Sequence, residues 1–224
     1  MIELEFDAHA SDGAGDGAPL VVLLHGRGAG KEDLRVLRPH LPAGVVAVFP
    51  QAPFQAAPWG YGPGWAWYRY LGEDRPEPES FAASLDALEA WLAALPQALP
   101  VKPGPIALGG FSQGGTLSVA YALTHPGSIA AVLNFSGFLA SHPRVRVAPD
   151  TVAGTRFFWG HGTRDRNIPF ELAERGRGLL RGAGAALEAR DYPIGHWIDP
   201  VELQDAMRWL ETVLAEAAGG TRAA

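Results

Sequence analysis

Ile106-Ala107-Leu108-Gly109-Gly110-Phe111-Ser112-Gln113-Gly114-Gly115 is the stretch whose reading decides the fold. A short apolar run enters two glycines, a serine follows, and a helical pattern over Gln113–Thr124 begins at once. The core of it, Gly110-Phe111-Ser112-Gln113-Gly114, fits G-x-S-x-G. In a chain with 28 glycines the pattern alone is modest evidence. The setting is what gives it weight: strand, tight turn, helix, with the serine hydroxyl exposed on a strained corner. Glycines flank such a serine because a side chain there would collide with the neighbouring strand or helix. The Gln113 amide would then sit at a helix N-terminus, aimed at developing negative charge. The bland alternative is a glycine-rich helix start with Ser112 as its N-cap.

Working outward, similar apolar runs recur at Leu20–Leu24, Val45–Phe49, Ile129–Leu133, Arg156–Trp159 and Ala186–Tyr192. Bounded by Gly or Pro, they read as strands buried on both faces. Ile2–Phe6 alternates and reads as a half-exposed edge strand. Helical patterns lie between them. Ser80–Leu95 puts Phe81, Leu85, Leu88, Leu92 and Leu95 on one face, with Ser80 as N-cap and Pro96 as the stop. Pro169–Arg181 and Pro200–Glu216 begin with proline at the first helical position. Strands alternating with helices imply a mostly parallel central sheet with helices on both faces. Ligands then bind beyond the carboxyl ends of the strands.

The 224 residues suit a single domain over 1–224. There are 18 basic and 24 acidic residues, a net charge of −6, and no basic stripe, so nucleic acid is not an expected partner. The absence of cysteine removes disulfides, thiolate metal sites and a cysteine nucleophile. The acidic, alternating N-terminus is not a secretory signal, and no apolar run is long enough for a membrane span. A cytoplasmic protein with no integral membrane segment is the expectation.

A serine hydroxyl needs a base to act as a nucleophile. Of seven histidines, His196 in Pro193-Ile194-Gly195-His196-Trp197 follows the last strand and precedes the last helix. That is the place for a base when the order is serine, acid, histidine. His125 reads as a helix-end residue. The acid belongs on the loop after an intervening strand, and Asp165 in Gly160-His161-Gly162-Thr163-Arg164-Asp165 fits. Asp150 lies at the wrong end of that strand, Asp191 lies within the last one, and Asp199 reads as an N-cap. His161 reads as a structural turn residue. A second oxyanion donor is expected from His25-Gly26-Arg27-Gly28, through the Arg27 amide. The same loop imitates phosphate-binding motifs and fails both. A P-loop needs Gly at 25 and Ser or Thr at 32, where His25 and Glu32 stand, and the dinucleotide fingerprint needs Gly or Ala where Lys31 stands. No cofactor loop and no metal-ligand spacing appears.

Residues 51–78 form a Pro- and Gly-rich stretch too long for an ordinary connection. Its middle, 59–70, holds six aromatics in twelve residues. It reads as a wall or flap over a binding cleft, as a plug at one end of the core, or as the subunit interface of a homodimer.

With these pieces placed, the chain resembles the phospholipase/carboxylesterase family of α/β-hydrolases, which includes small bacterial carboxylesterases and acyl-protein thioesterases. The matching segments are L-H-G-R-G at 24–28, F-P-Q-A-P at 49–53, W-Y at 67–68, G-G-F-S-Q-G-G at 109–115, S-G at 136–137, H-G-T-R-D-R-N-I-P at 161–169 and G-H-W at 195–197. They follow the family's order over about residues 18–215. The resemblance implies an α/β-hydrolase fold with Ser112 as nucleophile, Asp165 as acid and His196 as base. It implies oxyanion donors on the backbone of Arg27 and Gln113, and a supporting place near the site for Gln51. Trp65, Trp67 and Trp197 are taken with Gln51 as candidates for substrate contact. The expected activity is hydrolysis of short-chain or aryl carboxylic esters through an acyl-enzyme. The alternatives are a thioesterase or lysophospholipase on the same triad, or a non-catalytic binding protein on the same fold. Two departures bear on substrate: Arg27 replaces the leucine usual in members with apolar substrates, and Arg69 replaces the aspartate that often follows the W-Y pair.

Overall fold

The computed structural model describes residues 3–220. In chain order the strands are β1 (Phe6–Ala10), β2 (Ala18–Leu24), β3 (Val46–Pro50), β4 (Phe54–Gln55), β5 (Trp65–Ala66), β6 (Pro103–Phe111), β7 (Ala131–Phe135), β8 (Arg156–Gly162) and β9 (Ala186–Tyr192). The helices are α1 (Pro78–Ala98), α2 (Gln113–Thr124), α3 (Pro149–Val152), α4 (Phe170–Gly182) and α5 (Pro200–Gly220). Seven strands make one sheet in the order β1-β3-β2-β6-β7-β8-β9. All its pairings are parallel except β1 with β3. The fold is that of the α/β-hydrolases, as the sequence implies.

The two faces of the sheet follow from the period of two along each strand. On β2, Leu20, Val22 and Leu24 join a core with Phe81, Leu85 and Leu88 of α1, Leu117 of α2 and Ala173 and Leu180 of α4. Val21 and Leu23 point the other way, against Leu203, Met207 and Leu210 of α5 and Leu34 and Leu37 of a 3₁₀ segment, Asp33–His40. Burial of each such Val, Leu or Phe is worth about 1.5–3 kcal/mol relative to exposure. Because the crossovers lie on both faces, the carboxyl ends of β2, β6, β8 and β9 meet along one edge of the sheet. No helix among the described residues is long and apolar enough to cross a membrane.

Several boundaries differ from the sequence reading. The edge strand begins at Phe6, not Ile2, because its partner β3 offers only Val46–Pro50, pairing Phe6 with Pro50 and Ala10 with Val46. Ile2 lies outside the described residues. β7 starts at Ala131, where pairing with Ala107 begins. Helix α1 starts at Pro78 and runs through Pro96, which forfeits one hydrogen bond to Leu92 near an exposed helix end. Ser80 is therefore not its cap: its hydroxyl accepts the Arg69 amide at 3.1 Å instead. Pro169 is the residue before α4 rather than its first. Asp199 does cap α5, its Oδ1 accepting the amides of Val201 at 2.8 Å and Glu202 at 2.9 Å.

One buried acid follows from this packing. The Glu202 side chain fills the space a side chain on Gly160 of β8 would need, is fully buried, and has no hydrogen-bond partner on either carboxyl oxygen. Burial pushes its pKa up to about 8, with the Asp199 charge adding to the shift and Arg177 opposing it. An acid whose folded pKa is raised is fully tolerated at low pH. It costs stability as pH climbs from the ordinary glutamate range toward the folded value, because the unfolded chain releases its proton first. Glu202→Gln should therefore gain stability relative to the parent as pH rises from about 4.5 to 8, by at most about 1.4 kcal/mol per pH unit. Urea melts of both proteins across that range test this. A difference independent of pH would contradict the assignment.

Candidate active site

Gly110 is the next-to-last residue of β6 and Gly114 lies in the first turn of α2. A Cβ on either would run into the Leu24 carbonyl oxygen of β2, so the corner between them can be tight only with glycine. Ser112 occupies that corner at φ +55°, ψ −112°, a left-handed conformation costly for any residue with a side chain. It stands at the N-cap position of α2 but makes no cap hydrogen bond with its side chain. Its Oγ lies 3.0 Å from His196 Nε2 instead. The N-cap reading of Ser112 is thereby set aside.

His196 comes from the loop between β9 and α5. Its Nδ1 lies 2.6 Å from Asp165 Oδ2. Asp165, on the loop after β8, is buried, and its Oδ1 accepts the amides of Asn167 at 2.8 Å and Ile168 at 2.9 Å. Burial works against its charge, but the hydrogen bonds from His196, Ile168 and Asn167 outweigh it and hold the carboxyl below its usual range. An ionised Asp165 fixes the proton of a neutral imidazole on Nδ1, leaving Nε2 free to accept one from Ser112. Phe111 adds a ring contact to His196, with centroids 4.7 Å apart. The open x positions of G-x-S-x-G gave no signal for that contact.

His161 is the near rival to His196. It lies within β8 rather than in a turn, because the β8–β9 pairing extends to Gly162 and Tyr192. It is fully buried, and its Nε2 is 3.0 Å from the Ile168 carbonyl oxygen. Burial lowers its pKa and keeps it neutral. It supports the Asp165 loop and does not reach Ser112.

The amides of Arg27 and Gln113 have no backbone or side-chain acceptor among the described residues, as oxyanion donors require. The loop carrying Arg27 is held from both sides. His25, buried and with its pKa lowered to about 4 by desolvation, stays neutral: Nδ1 donates to the Gly26 carbonyl at 2.7 Å and Nε2 accepts the Ala52 amide at 3.0 Å. The Gly28 amide donates to Trp65 O at 2.8 Å, and the Trp65 amide donates to Ala29 O at 2.7 Å.

The aromatic stretch divides into two parts. Trp67 and Tyr68 are fully buried, the plug of the sequence reading. Trp67 is thus not a substrate contact: its Nε1 donates to the His25 carbonyl at 3.0 Å and its ring packs in the core. The Gln113 side chain straps this segment to the helix after the serine, Oε1 accepting the Trp67 amide at 3.0 Å and Nε2 donating to Tyr68 O at 2.7 Å. Ser84 of α1 also donates to the Trp67 carbonyl. These ties hold residues 67 and 68 in place. Sequence reasoning used only the backbone of Gln113 and missed its side chain. The signal was the amide side chain beside the serine, in a chain whose aromatic loop needed an anchor.

Of the remaining candidates, Gln51 and Trp65 lie against Gly30 in the loop after β2, and so next to the Arg27 segment. Trp197 is 54% exposed. It lines a cleft of about 390 Å³ together with His196, Arg164, Arg166 and Asn167.

The phospholipase/carboxylesterase family matches residues 9–214. Acyl-protein thioesterase 1 of Emericella nidulans is 28% identical over 193 residues, covering 79% of this chain and 80% of that protein. A probable carboxylesterase of Oryza sativa subsp. japonica is 29% identical over 223 residues, covering 92% and 93%. The crystal structure of esterase PE8 superposes with a TM-score of 0.78 at 26% identity, over 95% of this chain and 100% of that one.

Proposed function

Since the chain belongs to the phospholipase/carboxylesterase family, we propose that it is a serine carboxylesterase that hydrolyses short-chain or aryl esters through an acyl-enzyme, with Ser112, His196 and Asp165 as its triad. The observation that carries this reading is the unbroken chain of hydrogen bonds from Ser112 Oγ through both nitrogens of His196 to Asp165. Ser112 Oγ attacks the ester carbonyl carbon while its proton passes to His196 Nε2. The carbonyl oxygen becomes an oxyanion between the amides of Arg27 and Gln113. Collapse breaks the bond to the leaving oxygen, which takes the proton from His196. Water then attacks the acyl-enzyme with His196 again as base, and the acid and Ser112 are released.

A compact leaving group is supported by the cleft beside His196. Its volume of about 390 Å³ is near the lower end for small-molecule sites. Arg27, exposed in the loop after β2, suits a long acyl chain poorly. Thioester hydrolysis on the same residues is the second reading, drawn from the name of the Emericella nidulans relative. Matched ester and thioester substrates separate the two by kcat/KM. A cytoplasmic location and a small-molecule ester as the binding partner belong to the same proposal.

Fluorophosphonate labelling read by intact mass is the test. One adduct is expected on the native protein and none on Ser112→Ala. A folded native protein that takes no adduct would overturn the serine mechanism and favour a binding role.

A further inference from the structure

Arg164 and Arg166 flank Asp165 in sequence, yet the three side chains part company. Asp165 turns inward, its two oxygens taken by His196, Asn167 and Ile168. The arginines turn outward, both are exposed, and both line the cleft that His196 and Trp197 share. Most of the described arginines are ion-paired. Among the described residues neither Arg164 nor Arg166 has a salt-bridge or side-chain hydrogen-bond partner, although the chain carries a net charge of −6. No acidic residue lines the cleft to neutralise them. The backbone there is fixed, with the Arg164 amide donating to Ile194 O at 2.9 Å.

Chemistry says which part of a substrate would meet this pair. In the mechanism proposed above, His196 Nε2 hands its proton to the leaving oxygen, so the leaving group must lie on the His196 side of Ser112. The cleft that His196 itself lines offers a half-exposed indole at Trp197 and two guanidinium groups without ion-pair partners. An indole favours a flat apolar group, and guanidinium groups are matched to planar or tetrahedral oxyanions. Arg27, exposed in the loop after β2, stacks on the Tyr61 ring at 4.6 Å and adds positive potential.

We propose that the leaving alcohol of the preferred substrate carries an anionic group, a carboxylate or a phosphate, held by Arg164 and Arg166 beside Trp197. The inference rests on the serine-esterase reading and refines its substrate class.

The experiment compares kcat/KM for 3-carboxyphenyl acetate with its neutral methyl ester, 3-(methoxycarbonyl)phenyl acetate, each normalised to its spontaneous hydrolysis. 3-(Phosphonooxy)phenyl acetate forms a third arm that tells phosphate from carboxylate. Exposed charge pairs are individually weak, so the native protein is expected to favour one or both anionic esters by about tenfold. The ratio should fall toward one in the Arg164→Gln/Arg166→Gln double variant and below one in Arg166→Glu. In the native protein it should also shrink at about 0.5 M salt, where exposed charges are screened. A native ratio near one in both anionic arms overturns the inference, as does a preference that survives the double variant. If none of the three esters is hydrolysed, it is the serine-esterase reading that fails instead.

Discussion

Ser112→Ala is expected to lower kcat by about 10⁶ while leaving the fold in place. The size of the effect follows from what remains. The amides of Arg27 and Gln113 and the cleft would still bind and polarise an ester, which accounts for about 10³–10⁴ over water in such sites. The covalent step would be gone. Stability should hold because the Ser112 hydroxyl caps no helix amide and, among the described residues, its only side-chain partner is His196. The backbone corner is kept by Gly110 and Gly114, which the substitution does not touch. Steady-state kinetics on a short-chain aryl ester and a thermal melt of the same preparation check both halves. Turnover within tenfold of the native rate would rule out Ser112 as nucleophile.

Asp165→Asn is expected to cost about 10⁴ in kcat, through the wrong tautomer rather than through lost structure. Asp165 Oδ1 receives two backbone amides, from Asn167 and Ile168. An asparagine would keep its one carbonyl oxygen on those donors, because leaving two buried amides unpaired costs more than losing one bond. Its NH₂ would then face His196 Nδ1. A donor there forces the imidazole proton onto Nε2, the nitrogen that must accept from Ser112. The prediction is a large drop in kcat with a small change in KM. A change of less than about tenfold would show that the Asp165–His196 contact is not what orients the base. His161 offers no rescue, since its Nε2 is committed to the Ile168 carbonyl.

These expectations rest on two kinds of information, and the chain separates them well. Local chemistry was legible in the amino-acid order. The strand-to-helix corner at Gly110–Gly114 announces itself because only glycine fits against β2, and Asp199 announces the start of α5 because a carboxylate before proline suits a helix N-terminus. The order serine, acid, histidine then points to Asp165 and His196, since each lies just past the carboxyl end of a strand. Those same rules misjudged Pro96, where packing of Leu92 and Leu95 against the core carries the helix through a residue that usually stops it. They also misjudged Trp67, because an aromatic-rich loop does not say which rings face inward.

What the sequence by itself determined is the doubly covered parallel sheet, the strained serine, and which aspartate and histidine line up in hydrogen-bond contact with it. All of these depend on residue type and on spacing along the chain. What only the tertiary structure decided is which groups face one another across long separations: the Gln113 amide that straps residues 67 and 68, the buried Glu202 beside Gly160, and the two arginines left unpaired next to His196. The reason is physical. A backbone conformation is set by near neighbours. Burial and charge pairing are set by whatever the fold brings alongside, and no local pattern records that.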